Sequence, residues 1–239
     1  MEMTFWTEQR AALREQLAAG DRETFLRWPL IVATMFYPLV PEELQYLKEH
    51  PDWTFIRSLL EDPGVGGAEP IDPSLRTNGN IVHHAYHIFR FEAALGHRLA
   101  GGGNILEIGG GYGNFCRLVF KRGFAGKYRI YDLPEFLELQ RWYLGRTLAR
   151  ADVEYLSVLP SAPVDVLVGL WSISEMPFAL RDRIKALAPR YFLLAYQQEF
   201  YGLDNVEYFE RWRTDQDYAW HDIEIPHIKG DRYLFGARK

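Results

Sequence analysis

Cysteine is nearly absent from this chain: Cys116 is the only one in 239 residues. A single thiol closes no internal disulfide, and no Cys/His spacing of the structural zinc kind occurs. Cys116 reads as a buried helix residue. Long apolar runs are missing as well. None reaches the ~20 residues that a membrane-spanning helix needs, and the N-terminus lacks a signal-peptide pattern. The expectation is a soluble, cytoplasmic protein with no membrane partner. Excess positive charge is also lacking. The 27 Lys and Arg are outnumbered by 32 Asp and Glu, for a net charge of −5. That balance offers no attraction to nucleic acid. Internal repeats and low-complexity tracts do not occur.

What is present is a hydrophobic content of 48%, enough for a real core. The length suits one α/β domain with an appended cap. Residues 1–60 carry helix signals and no sheet signal. Thr7–Ala19 stops at Gly20, Asp21 caps a short helix through Trp28, and Leu30–Tyr37 lies between prolines as a buried turn or short helix. Pro41–His50 and Pro51–Leu60 each start on a proline. The Gly- and Pro-rich stretch 61–79 reads as a linker or covering loop. We expect 1–79 to be a helical cap or dimerisation region with its linker, its aromatic helices pairing in a homodimer. Residues 80–239 form the main domain.

Asn80 is placed to cap a helix from Ile81 to about Leu99. Strand-like runs at 104–108, 127–131, 153–157, 164–170 and 190–196 then alternate with helical spacing at 113–122, 134–149 and 177–187. Such alternation demands a parallel, doubly wound, Rossmann-like α/β sheet with right-handed crossovers. Asp222–Pro226 and Arg232–Ala237 flank Lys229-Gly230-Asp231 as a hairpin.

The organising stretch is Asn104 to Phe115, a buried strand running through glycines into a helix. Gly109, Gly110, Gly111 and Gly113 allow close backbone approach, and the helix start offers unpaired N–H groups. A dinucleotide fingerprint wants Gly-x-Gly-x-x-Gly. Here the third glycine, Gly113, comes one residue early and Asn114 stands in its place. Asp132 ends the second strand, where a ribose diol would lie. Glu107 sits inside the first strand, near a cationic group of the ligand or bonded to loop amides. No Lys or Arg cluster awaits a pyrophosphate. An NAD-dependent oxidoreductase shares the turn and the second acid but not the glycine offset.

Ile105-Leu106-Glu107-Ile108-Gly109-Gly110-Gly111-Tyr112-Gly113 resembles the first motif of class I S-adenosylmethionine (SAM)-dependent methyltransferases, and Tyr131-Asp132-Leu133-Pro134 their second. Extended through Cys116, Glu135 and Ser172-Ile173-Ser174-Glu175-Met176, the likeness is to the putative sugar O-methyltransferase family and covers roughly residues 74–239. It implies the class I methyltransferase fold with a terminal antiparallel hairpin, SAM as cofactor with S-adenosylhomocysteine as product, and methyl transfer to a hydroxyl of a free, nucleotide-linked or glycosidic sugar. A phenol or natural-product acceptor is the nearest alternative. A partner subunit that keeps the pocket without catalysis is a further one.

In that reading the glycines, Glu107, Asp132, Leu133 and Trp171 contact the cofactor, Leu133 and Trp171 offering apolar faces. Glu175 is a base, a metal ligand or a partner for acceptor hydroxyls; a carboxylate before Pro177 at a helix start is its ordinary structural role. Tyr196 to Glu199 follow the fifth strand toward the acceptor. An imidazole is a natural base for a hydroxyl, and the helix after residue 80 carries three. His83 and His87 share a stripe with Arg90. His84 falls beside Ile88, Phe91 and Leu95 and reads as a core histidine. Arg76, Thr77 and Asn78 precede this helix and are placed for the cofactor carboxylate. His221, Asp222 and His227 are where a divalent metal would go, but their spacing does not establish one, and no metal is assigned.

Overall fold

The computed structural model describes residues 4–68, 74–101, 103–149 and 152–239. The chain opens with α1 (Thr4–Ala19), a 3₁₀ turn (Arg22–Arg27), α2 (Pro29–Met35), α3 (Pro41–Lys48) and α4 (Trp53–Leu59). Pro29 and Pro41 stand in the first turn of α2 and α3, where the missing N–H costs nothing. Helix α5 (Gly79–Leu95) follows. Its cap is Asn78, whose side chain accepts from the Ile81 N–H at 3.1 Å, and not Asn80. Asn80 is turned outward to the N-terminal segment, donating to the Met35 carbonyl at 2.8 Å and accepting from the Tyr37 N–H at 2.6 Å. Gly96, in the left-handed region at φ 62°, ends the helix at Leu95 instead of Leu99.

The α/β part then runs β1 (Asn104–Ile108), α6 (Asn114–Lys121), β2 (Lys127–Tyr131), α7 (Pro134–Thr147), β3 (Val153–Leu156), β4 (Val166–Leu170), α8 (Phe178–Lys185) and β5 (Tyr191–Gln197). A short ribbon, β6 (Glu199–Phe200) and β7 (Leu203–Asp204), leads into α9 (Asn205–Thr214), β8 (Tyr218–Glu224) and β9 (Asp231–Arg238). One seven-stranded sheet results, in the order β3-β2-β1-β4-β5-β9-β8. The first five strands are parallel; β9 inserts antiparallel beside β5, and β8 lies antiparallel outside it. Strand order reverses between β1 and β4, which opens a crevice at the carboxyl ends of those strands.

Alternating strand residues feed two cores. Ile105, Tyr128, Ile130, Val166, Leu193 and Phe235 face α5, α6, α7 and the N-terminal helices. Leu106, Ile108, Leu167, Phe192 and Leu194 face α8 and α9. The N-terminal helices thus share one apolar core with the sheet. Phe25 is fully buried, its ring packed edge-on or tilted against Trp28, Tyr112, Trp142 and Tyr143. The first part of the expected linker is tied down as well: the Leu26 N–H donates to the Gly66 carbonyl and the Asp62 N–H to the Arg76 carbonyl. Residues 69–73 of that stretch lie outside the described residues.

Helix α9 was not expected, although its signal is in the sequence. Asp204 and Glu207 form the capping pattern, and the Asp204 carboxylate accepts the Glu207 N–H at 3.0 Å. Tyr208, Phe209 and Trp212 then give it one apolar face. The outer hairpin strand begins at Tyr218, earlier than expected, because Trp220 alternates inward to pack on Phe192.

Because the cap and the sheet share one core, Phe25→Ala should remove about 3–5 kcal/mol of unfolding free energy. Urea unfolding followed by tryptophan fluorescence and by far-UV circular dichroism should give coincident curves. Separate transitions for the two probes would mean that cap and sheet unfold independently.

Candidate active site

The loop after β1 is shaped by what lies against it. At Gly109 φ is +71°, and a Cβ there would stand 2.3 Å from the Ser172 Cβ, so the position excludes any side chain. Ser172 follows β4, and its hydroxyl donates to the Ile108 carbonyl. The β1 loop and the turn after β4 are therefore in direct contact at the strand-order switch. The Gly113 N–H closes the loop on the Gly110 carbonyl at 2.9 Å and α6 begins at Asn114. Gly111 faces Met35 of the N-terminal segment.

Two acids underlie this loop. Asp132, at the end of β2, accepts from the Leu133 N–H and from Gln140 Nε2, each at 2.7 Å. The Gly110 and Gly111 N–H groups also point at its carboxylate. Burial nevertheless pushes its pKa up to about 7. Gln140 Nε2 also donates to the Gly111 carbonyl, while its own Oε1 is buried with no hydrogen-bond partner. Glu107 is deeper, 3% exposed, and accepts from the Tyr128 hydroxyl at 2.8 Å. Burial raises its carboxyl to about 8. Its carboxylate lies beneath Gly110. Leu133 caps α7 from β-region geometry and packs on the cap-side core.

The turn after β4 holds the next group. Trp171 has φ 62°, an uncommon value for a bulky residue and one sustained here by two bonds. Its N–H donates to the Ala195 carbonyl, and its indole N–H to Asp231 at 2.6 Å. The indole is thereby drawn toward β9 and stacks near His83, at 5.4 Å and 26°. Glu175 is partly buried, accepts from Trp6 of α1 at 3.1 Å and lies 3.4 Å from Gln197 Nε2. Burial raises its pKa to about 7, against the pull of both donors. The turn itself is clamped by Arg181, a fully buried side chain donating to the carbonyls of Met176 and Ser174 and to Asn205 Oδ1.

The three histidines of α5 divide differently from their helical stripes. His83 and His87 are the buried pair, 4% and 0% exposed, and His84 is the partly accessible one. His84 Nδ1 pairs with Asn114 Nδ2 at 2.8 Å, beside the start of α6. Burial and the nearby Arg117 charge lower its pKa to about 3. His87 Nδ1 pairs with the Tyr233 hydroxyl at 2.5 Å. His83 Nδ1 meets Glu43 Oε1 at 2.6 Å, and the same oxygen meets His227 Nε2 at 2.7 Å. Burial holds His83 and His87 well below the ordinary imidazole range. It raises Glu43 to about 7 even against the adjacent His227.

The grouping of His221, Asp222 and His227 is not formed. Asp222 is held by Arg232 at 2.7 Å and Arg213 at 3.3 Å, His221 is exposed, and His227 turns instead to Glu43. Asn78 is a cap, and Arg76 sits 3.8 Å from Glu61. Tyr196 enters the opposite core, leaving Gln197 as the member of its run that meets Glu175. Gln140, Trp6, Met35 and Glu43 were missed. Gln140 and Glu43 lie on helices that sequence spacing identifies, Met35 lies in the turn or short helix expected over 30–37, and Trp6 lies just before the helix expected from Thr7; nothing local marks any of them as facing the crevice.

No family model matches the chain, and no curated protein does. Solved structures match in fold. The magnesium protoporphyrin IX methyltransferase from Synechocystis PCC 6803 with bound SAM is similar at TM-score 0.54 and 11% identity, over 84% of this chain and 98% of that one. Its counterpart with bound S-adenosylhomocysteine gives 0.55 and 11%, over 82% and 98%. The CurJ carbon methyltransferase gives 0.51 and 12%, over 83% and 70%. With its strand order, its glycine turn at the switch point and its antiparallel β9, the chain has the class I SAM-dependent methyltransferase fold.

Proposed function

We propose that this chain is a SAM-dependent O-methyltransferase whose acceptor is a sugar hydroxyl. The observation that carries the reading is the meeting, at one crevice, of the glycine loop, the Asp132–Gln140 pair and the turn bearing Glu175. The Synechocystis protein of the same fold was crystallised with SAM and with S-adenosylhomocysteine, which supports the cofactor assignment.

The residues present fit that cofactor. Gly109, Gly111 and Gly113 give the left-handed backbone that turns the loop at the switch point, and Asp132 supplies acceptors for a diol. Gln140 Oε1, buried and unpartnered, is an acceptor waiting for a donor. SAM would supply an electrophilic methyl group on a sulfonium centre. Asp132 would hold the ribose hydroxyls, Gly109 to Gly113 the backbone-facing side, and Leu133 an apolar face. Glu107, engaged by Tyr128 beneath the loop, would act through the loop's position.

On the acceptor side, Glu175 would take the hydroxyl proton as the oxygen gains the methyl, and Gln197 and Trp6 would orient its carboxylate. A pKa near 7 suits a base operating at neutral pH. Trp171 and Trp6 would offer flat apolar faces to a sugar ring. The sugar assignment rests on the resemblance at Ser172 to Met176. A phenolic acceptor shares the same chemistry and is distinguished by the product.

Isothermal titration with SAM should show binding, and Asp132→Asn should weaken it about tenfold or more, the worth of one charged hydrogen bond. No heat and no thermal shift at saturating SAM would remove the cofactor and the activity together. With free and nucleotide-linked sugars as acceptors, mass spectrometry and NMR should place the new methyl on oxygen. Glu175→Gln should lower kcat by about 10²–10⁴-fold with little change in SAM affinity. In the unmodified chain kcat/KM should rise with pH through about 7, as the Glu175 carboxyl ionises, and Glu175→Gln should abolish that limb. Methylation of phenols alone would reassign the acceptor.

A further inference from the structure

We propose that Glu43, His83 and His227 form a binding site for one divalent transition-metal ion of the zinc class. One ligand atom from each residue lies within 4.8 Å of the other two. They come from three separate parts of the chain: α3, α5 and the turn between β8 and β9. Two imidazoles and one carboxylate are a donor set for zinc or another first-row ion, whereas calcium and magnesium prefer an all-oxygen shell.

The carboxylate supplies a second, independent observation. Glu43 is 0% exposed, and its Oε1 serves both histidines while Oε2 is buried with no hydrogen-bond partner. A bare carboxylate oxygen inside a protein is expensive, and a cation beside it removes the cost. The two imidazoles leave that oxygen with only the nearby Tyr37 hydroxyl to turn to.

The ligands are also pre-oriented. The His83 ring is stacked on Tyr37 at 3.5 Å and 17°, with Trp171 at 5.4 Å. Tyr86 packs edge-on against His227 at 5.5 Å. The present contacts of 2.6 and 2.7 Å are hydrogen-bond lengths. Ligands about 2.0–2.1 Å from a tetrahedral ion stand about 3.3 Å apart. Loading therefore lengthens each of the two Glu43 contacts by less than about 1 Å, a shift the His227 turn can absorb. Three protein ligands leave a fourth position for water or another oxygen ligand, the arrangement of an open zinc site.

Binding at this cluster does not depend on methyl transfer, so its test is spectroscopic. Protein dialysed against a chelator and titrated with Co²⁺ should develop a visible absorption band that saturates at one equivalent. One equivalent of Zn²⁺ should displace it. His227→Ala, on the surface turn, and Glu43→Gln, which preserves size and hydrogen bonding, should each weaken binding by about 100-fold or more, beyond the loss expected of outer-shell partners. His221→Ala should leave it unchanged. Far-UV circular dichroism of each variant reports folding, so a lost band in a folded variant assigns the ligand. No band in the unmodified protein, or one that survives both ligand variants, overturns the site. Loss of SAM binding with the cobalt band intact would instead count against the methyltransferase reading alone.

Discussion

A carboxylate removed from water must find donors or a cation, and four acids near the carboxyl edge of this sheet live under that constraint. Glu107 takes the Tyr128 hydroxyl, Asp132 takes Gln140 and the loop amides, and Glu175 takes Trp6. Glu43 takes two imidazoles on a single oxygen. Burial pushes all four to pKa values of about 7 or 8. Each is tied to a partner from a different element, so the acids pin the crevice into shape. The same low-polarity setting leaves them poised to respond to a charged ligand.

The N-terminal helices take part in this arrangement. Trp6 reaches Glu175, Met35 faces Gly111, and Asn80 secures the C-terminal end of α2. Arg10 and Arg14 hold Glu135 at the start of α7 from the same side, at 3.0 and 2.6 Å. A segment whose described residues form no strand thus covers the mouth of a sheet built by the remainder of the chain. Its apolar contacts, centred on Phe25, anchor it to the core, so its polar contacts can serve the crevice.

The two sides of the crevice differ in character. Around the glycine loop the groups are backbone amides and two acids, Asp132 and the deeper Glu107, suited to a polar ligand. Around Trp171 they are rings: His83, His87, Tyr37 and Tyr233 pack within one aromatic cluster. Trp171 joins the two, since its backbone ends β4 while its indole is drawn to Asp231 and β9. The left-handed backbone at Trp171 is the local cost of that turn.

Much of the architecture was legible in the residues. The strand–glycine–helix passage at 104–115, the alternation through 196 and the final hairpin determined the class of sheet, because periodicity and glycine punctuation act locally. The α9 helix was equally legible through Asp204 and Glu207 and was overlooked. The roles of the histidines were not legible. Helical spacing grouped His83 with His87 but could not say which side met a polar cluster, and His84, read as a core histidine, is half-buried and bonded to Asn114. Glu43 carried no signal at all, as an acid in the first turn of a proline-started helix is ordinary. By itself, then, the sequence determined the elements and the glycine turn, through rules that operate within a few residues. Only the tertiary structure decided that α3, α5 and the last turn bring Glu43, His83 and His227 together, because contacts between residues 40 and 184 positions apart depend on how whole layers pack.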